Sequence, residues 1–205
     1  MPTIACLHTA ATNVAVFDAA CPPGARLLHT VDEALLKDAE AAGGLTDAIA
    51  GRTARALEAL AVPGVDAVLL TCSTVGPGAA LARATVPVLR VDAALAEAAT
   101  RGGGGVVVLC AVETTLGPTR AVFEGPAARH GATLDVRLVP GAWAAFRGGD
   151  VAGYHRIVAE ASDAAHAEGA RAVALAQASM AGAAALAKGP KPLASPAVGL
   201  AAALG

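Results

Sequence analysis

Aromatic residues are nearly missing from this chain: one Trp, one Tyr and three Phe among 205 residues. That scarcity removes the stacking platforms on which single-stranded nucleic acid is bound. Charge is sparse too, with 16% Asp, Glu, Lys and Arg and a formal net charge of −2, so there is no basic footprint for DNA or RNA. Lysine occurs only as Lys37, Lys188 and Lys191, in charged or proline-rich surroundings, which argues against a Schiff-base lysine. The four cysteines, Cys6, Cys21, Cys72 and Cys110, form no Cys-x-x-Cys pair. They read as reduced thiols in a cytoplasm, not as a disulfide framework or a zinc site. Long apolar runs are absent as well. The stretch 172–187 is interrupted by Gln177 and Ser179 and bounded by Arg171 and Lys188, short of the roughly 18–20 apolar residues a membrane helix needs. No Lys or Arg precedes Arg26, so no secretory n-region is expected. A small polar metabolite is the expected partner, with no nucleic acid and no membrane.

What the chain does have is alanine. Fifty-six residues are Ala, and hydrophobic residues make up 55% of the sequence. This excludes a disordered chain, although much of the apolar content is small side chain. The length suits one domain or two small lobes. Short β-rich runs alternate with Ala/Leu/Glu/Arg stretches, the pattern of parallel strands joined by crossover helices. Strands are predicted over 3–7, 25–28, 67–71, 88–91, 106–109, 134–138 and 172–176. Predicted helices include 31–41, 46–60, 77–84, 93–100, 118–130, 151–168 and 180–187. The glycine run 102–105 marks a crossing between two halves. It precedes a strand, so it is not a phosphate-binding loop.

The halves look related. Residues 64–82 read GVDAVLLTCSTVGPGAALA and residues 169–187 read GARAVALAQASMAGAAALA, aligned without a gap at an offset of 105. The shared Gly-x-x-Ala-Val-x-Leu strand entering a turn of small residues predicts an internal duplication. The alignment sets Cys72 against Gln177, Ser73 against Ala178 and Thr74 against Ser179.

Cys72 is the leading candidate for chemistry. It follows an apolar strand and precedes a predicted helix, at the sheet edge where open α/β folds bind ligands. A helix N-terminus there would favour the thiolate. Ser73 and Thr74 offer hydroxyls and backbone donors to a carboxylate. Cys6 and Cys110 fall inside strand patterns and Cys21 in a proline-containing loop, so they read as packed thiols. His155 and His166, eleven apart on one predicted helix, read as solvated or hydrogen-bonded side chains. Asp32 and Asp92 are expected to cap helices and face solvent. Trp143 is expected either to line a cleft or to plug the core.

These residues resemble the aspartate/glutamate/hydantoin racemase superfamily, which also contains maleate isomerases and arylmalonate decarboxylases. The resemblance rests on Cys72-Ser73-Thr74 after a buried strand, the equivalent turn 105 residues later, and Glu113-Thr114-Thr115 between them. It spans nearly the whole chain, including Pro192–Pro196 before a last helix. It implies an α/β fold of two pseudo-symmetric lobes, parallel sheets flanked by helices, with the substrate cleft between the lobes. The first lobe would comprise residues 1–98 completed by 194–205, and the second residues 99–193. It also implies an enzyme without cofactor or metal, using one cysteine from each lobe on opposite faces of a substrate α-carbon.

Carried over residue by residue, the resemblance makes Cys72 the first-lobe catalytic cysteine, with Ser73, Thr74, Thr9, Thr114 and Thr115 around the substrate. His8 stands where glutamate racemases have an aspartate, and Ala111 where the family has a threonine. The second cysteine is replaced by Gln177, and its neighbours are Ala178 and Ser179. Glutamine does not titrate, so the second face lacks an acid/base group. Three functions stay open at this point. A one-sided enzyme could racemise, isomerise or decarboxylate a small carboxylate or dicarboxylate through Cys72. A degenerate protein would bind the carboxylate without turnover. A Cys72–His155 hydrolase would need flanking glycines that Thr71-Cys72-Ser73-Thr74 lacks. Alanine-rich helical faces fit a homodimer.

Overall fold

The Val/Leu runs form strands and the Ala/Glu/Arg runs form helices, and the computed structural model describes residues 1–205 throughout. The first half runs β1 (Thr3–His8), α1 (Thr12–Ala20), β2 (Arg26–Val31), α2 (Glu33–Ala41), α3 (Asp47–Leu60), β3 (Ala67–Leu70), β4 (Val88–Arg90) and α4 (Val91–Thr100). The second half runs β5 (Gly104–Cys110), α5 (Leu116–His130), β6 (Ala132–Leu138), α6 (Ala142–Arg147), α7 (Val151–Ala167), β7 (Ala172–Leu175), β8 (Leu193–Ala194) and α8 (Ser195–Leu204). Short 3-10 segments occupy Gly76–Leu81, Glu113–Thr115 and Ala178–Ala185.

Two four-stranded parallel sheets result, ordered β2-β1-β3-β4 and β6-β5-β7-β8. Two contact units accompany them, Met1–Ala94 with Pro196–Gly205, and Leu95–Ser195. The central strands β1 and β3 are buried along their whole length, as parallel strands covered on both faces must be, and edge strand β2 is partly exposed. In the first unit Leu35, Ile49, Leu57 and Val75 close over Ala5, Leu7, Val68 and Leu70. In the second, Tyr154, Val158, Met180 and Ala183 pack with Val107, Leu109, Val173 and Leu175. Helix α3 shows why its sequence is amphipathic: Ile49, Ala50, Thr53, Ala54 and Leu57 form its buried face.

The predicted duplication extends to the strand register. Ile4 pairs with Ala67 and Val106 with Ala172. Just past the strands, Thr71 N–H donates to Leu7 O at 3.1 Å and Ala176 N–H to Leu109 O at 3.0 Å. Gly64 and Gly169, again 105 apart, both turn the chain with positive φ, 90° and 100°, which a side chain would resist.

Local differences from the sequence reading have physical causes. The helix predicted from 31 begins at Glu33, because Val31 is spent on β2 and Asp32 caps the helix by accepting from Ala34 N–H. The helices predicted over 77–84 and 180–187 are short 3-10 turns. In the first, Gly78 lies so close to α3 that a Cβ would stand 2.9 Å from Ala50 O. Helix α1 was not anticipated, since Phe17 is its one buried residue and leaves little periodicity to read. Helix α6 and the two-residue β8 were also unforeseen. No helix is long and apolar enough to cross a membrane.

Candidate functional site

In each sheet the second and third strands in chain order lie on opposite sides of the first. The crevice at the C-terminal ends of the two central strands is therefore a topological switch point, where open α/β sheets bind ligands. In the first unit those ends carry His8-Thr9 after β1 and Thr71-Cys72-Ser73-Thr74 after β3. In the second they carry Cys110-Ala111 and Ala176-Gln177.

Cys72 is half-buried against the core of the first unit, with Ser73 half-buried and Thr74 exposed beside it. The helix expected to begin just beyond it is instead the six-residue 3-10 turn starting at Gly76. Cys72 therefore stands in a loop, without the aligned N–H groups and dipole of an α-helix N-terminus. Thr9 is buried immediately after β1.

His8 is fully buried, and both ring nitrogens are occupied. Nδ1 lies 2.9 Å from Thr71 Oγ1 and Nε2 lies 2.8 Å from His29 Nδ1. Thr71 donates its hydroxyl to Leu7 O at 3.1 Å, and His29 Nε2 meets Asp18 Oδ1 at 3.0 Å. Burial pushes the His8 pKa down to about 4, helped by neighbouring His29 and opposed by Asp18. The ring thus stays neutral at pH 7, and it reaches the Cys72 loop through Thr71 rather than by a free nitrogen. Cys6, two residues earlier on the same strand, is buried and its thiol is pushed up to about 12, chiefly by burial. Cys6, His8 and His29 each offer a metal-ligating atom, and these lie within 4.8 Å of one another. Sequence reading missed His29 and Asp18, because the register of β2 on β1 brings His29 beside Cys6 and His8, and Asp18 reaches His29 from α1.

Gln177 is half-buried at the matching place in the second unit and its side chain is clamped. Oε1 accepts Ala111 N–H at 2.8 Å, and Nε2 donates to Thr115 Oγ1 at 2.9 Å. Thr115 in turn donates to Val112 O at 2.6 Å. One amide hydrogen and one carbonyl lone pair of Gln177 are left for a ligand. Thr114 is exposed on the short 3-10 turn, and Ala178 and Ser179 are half-buried. The Ser179 hydroxyl pairs with Tyr154 OH at 2.9 Å. Burial raises the Tyr154 pKa, and the Ser179 hydrogen bond partly offsets that. Tyr154 carried no sequence signal beyond being the only tyrosine.

Other candidates are accounted for structurally. His155 Nε2–H donates to Ser179 O at 2.9 Å and His166 bonds Ala170 O at 2.9 Å, so both serve their own helix's packing. Asp92, expected to face solvent, is buried and holds Arg90 through two hydrogen bonds of 3.0 and 2.6 Å. Trp143 is no core plug: it stacks on Phe146 and is 38% exposed.

No protein-family model matches the sequence, and no curated protein sequence matches it. Solved structures do resemble it. An aspartate racemase from Picrophilus torridus superposes with a TM-score of 0.75 at 13% identity, over 100% of this chain and 93% of that one. An allantoin racemase from Klebsiella pneumoniae gives 0.68 at 18% identity, over 100% and 86%. An unliganded arylmalonate decarboxylase gives 0.61 at 13% identity, over 100% and 92%. All three are members of one superfamily, so this chain has the aspartate/glutamate racemase fold.

Proposed function

We propose that this protein is a cofactor-independent enzyme of the racemase type. It would move a proton at the α-carbon of a small carboxylate or dicarboxylate, with Cys72 as the single thiol acid/base. The observation that carries the reading is positional. Cys72 and Gln177 stand at equivalent switch points of a duplicated fold whose solved examples include racemases and a decarboxylase.

In this mechanism the Cys72 thiolate removes the α-proton to leave an enediolate, and the thiol returns a proton to the same face. For a malonate, the C–C bond breaks with loss of carbon dioxide, and the Cys72 thiol protonates the resulting enediolate. Ser73, Thr74 and Thr9 of the first unit would bind the carboxylate oxygens of a substrate at Cys72; Thr114 and the Ala178-Ser179 turn offer the corresponding groups of the second unit. Gln177 cannot exchange protons. Its remaining amide N–H and carbonyl lone pair suit a hydrogen bond to a carboxylate or carbonyl group. The clamp on Gln177 also supports a second reading, a carboxylate-binding protein without turnover, because that amide is built to hold rather than to react.

Incubation in D₂O with 2-substituted acids and prochiral malonates, followed by chiral analysis, separates these readings. A single labelled or decarboxylated enantiomer, lost in Cys72→Ala, is the expected result. Fast racemisation would overturn the one-sided mechanism. Binding seen by thermal shift with no exchange would favour the binding protein.

A further inference from the structure

Away from the reacting thiol, the first sheet carries a built cluster of three metal-ligating side chains. Cys6 and His8 are two apart on β1 and so point to the same face of the sheet. His29 is the direct register partner of Cys6 on β2. The opposite face of β1 presents Ala5 and Leu7 to the hydrophobic core. On the cluster face the His8 ring packs edge-on to Phe17 of α1, with centroids 5.2 Å apart. Cys6 is a free thiol, Cys6 and His8 are fully buried, and the half-buried His29 leaves a way in from solvent.

The Thr71 hydroxyl lies 3.1 Å from Leu7 O and 2.9 Å from His8 Nδ1, so with its hydrogen on Leu7 O its oxygen accepts from His8 Nδ1–H. His29 Nε2–H is directed at the Asp18 carboxylate. Between the rings, His8 Nε2 and His29 Nδ1 lie 2.8 Å apart, the distance of an N–H···N hydrogen bond with one proton between them. A metal ion can take the place of that proton once His8 carries its hydrogen on Nδ1, directed at Thr71 Oγ1. Cys6 supplies sulfur to the same spot, with all three ligand atoms within 4.8 Å.

We propose that Cys6 Sγ, His8 Nε2 and His29 Nδ1 bind one Zn²⁺ ion, with a solvent molecule completing the tetrahedron and with Thr71 and Asp18 as the outer partners that orient the two imidazoles. Sulfur with two imidazoles suits zinc and excludes the hard cations calcium and magnesium, which take oxygen. Tetrahedral Zn–N bonds of about 2.0–2.1 Å set the two nitrogens about 3.3 Å apart. The half-buried His29 ring has only to swing outward by roughly half an ångström from the present separation. Binding displaces the Cys6 thiol proton into solvent, shifts the inter-ring hydrogen to His8 Nδ1 and fills its place with the metal. The carboxylate–histidine pair Asp18–His29 then has the form of a metal ligand held by its second nitrogen. The ion would tie β1 to β2 and stand outside the proton chemistry assigned to Cys72.

The test uses the whole chain, stripped with a chelator and titrated with Zn²⁺ against a chromophoric competitor. One equivalent per chain should bind and raise the melting temperature. Co²⁺ in its place should give a thiolate-to-cobalt charge-transfer band with tetrahedral ligand-field bands. Cys6→Ala and His29→Ala should lose the charge-transfer band, and Cys110→Ala should keep it. Asp18→Asn should weaken zinc about tenfold, in line with loss of an outer partner. Should Cys6→Ala not fold, His29→Ala at the half-exposed position decides, with circular dichroism as the check. Sub-stoichiometric zinc, or undiminished binding in His29→Ala, would overturn the proposal.

Discussion

Gln177 Oε1 accepts the backbone N–H of Ala111 at 2.8 Å, joining the end of β7 to the loop that leaves its sheet neighbour β5. With Nε2 donating to Thr115 Oγ1, one side chain satisfies two groups of the switch-point loop. Glutamine here is a structural clamp.

Removing the clamp has a measurable cost. Gln177→Ala should lower stability by about 1–3 kcal/mol, since two hydrogen bonds of about 1 kcal/mol each disappear and the partly buried Ala111 N–H loses its acceptor. Urea denaturation reads this directly. Gln177→Cys should pay a similar stability cost while introducing some racemisation, because a thiol restores a proton donor at that position. A Cys variant as stable as the parent would contradict the clamp.

Close packing of the turn after Cys72 makes Gly78 intolerant. A Cβ there would stand 2.9 Å from both Ala50 O and Thr53 Cβ, and the first of these is backbone that cannot turn aside. Gly78→Ala should destabilise by about 1–3 kcal/mol, the usual range for overpacking. It should also impair Cys72 chemistry by shifting its loop. Gly117→Ala, where nothing lies within 4 Å of the added Cβ, is the matched control. Thermal melts and turnover of both variants check the pair.

Asp163 gives the acid limb of stability a specific contributor. Its carboxylate accepts Lys188 N–H at 3.0 and 3.1 Å and Gly189 N–H at 2.9 Å, and these bonds hold its pKa below the usual carboxylate value. A pKa depressed on folding adds stability above the unfolded-state value of about 3.9, which is lost as pH falls through the folded value. Parent and Asp163→Asn should therefore differ in urea midpoint at neutral pH and converge in acid. A difference that persists in acid would assign the effect to packing.

Thiol reactivity should follow burial. Cys72 and Cys21 are half-buried, whereas Cys6 and Cys110 are fully buried. With the Cys6 pKa near 12, almost none of that thiol is ionised at neutral pH. Alkylation of the native protein, mapped by mass spectrometry, should label Cys72 and Cys21 and spare the other two until denaturant is added. Labelling of Cys6 as fast as Cys72 would mean that β1 opens readily.

Tyr154→Phe should cost about 1–2 kcal/mol, because it strands the Ser179 hydroxyl beside a buried ring. It should also loosen the turn that follows Gln177. Chemical denaturation and the substrate KM measure the two effects separately.

Periodicity and composition by themselves determined the alternation of strand and helix, the duplication, and the placing of Cys72 and Gln177 at corresponding turns. Those signals are short-range: apolar runs mark strands buried on both faces, and a fixed offset of 105 marks the repeat. Tertiary structure decided the rest. Whether residues after Cys72 form an α-helix or a 3-10 turn depended on how closely Gly78 could approach α3. That Gln177 is clamped depended on β5 and β7 being neighbours, and that Asp92 is buried depended on Arg90 folding back onto it. The meeting of Cys6, His8 and His29 required β2 to lie on β1 in one register. A shift of one residue would turn His29 to the other face, and no local pattern in the sequence records that choice.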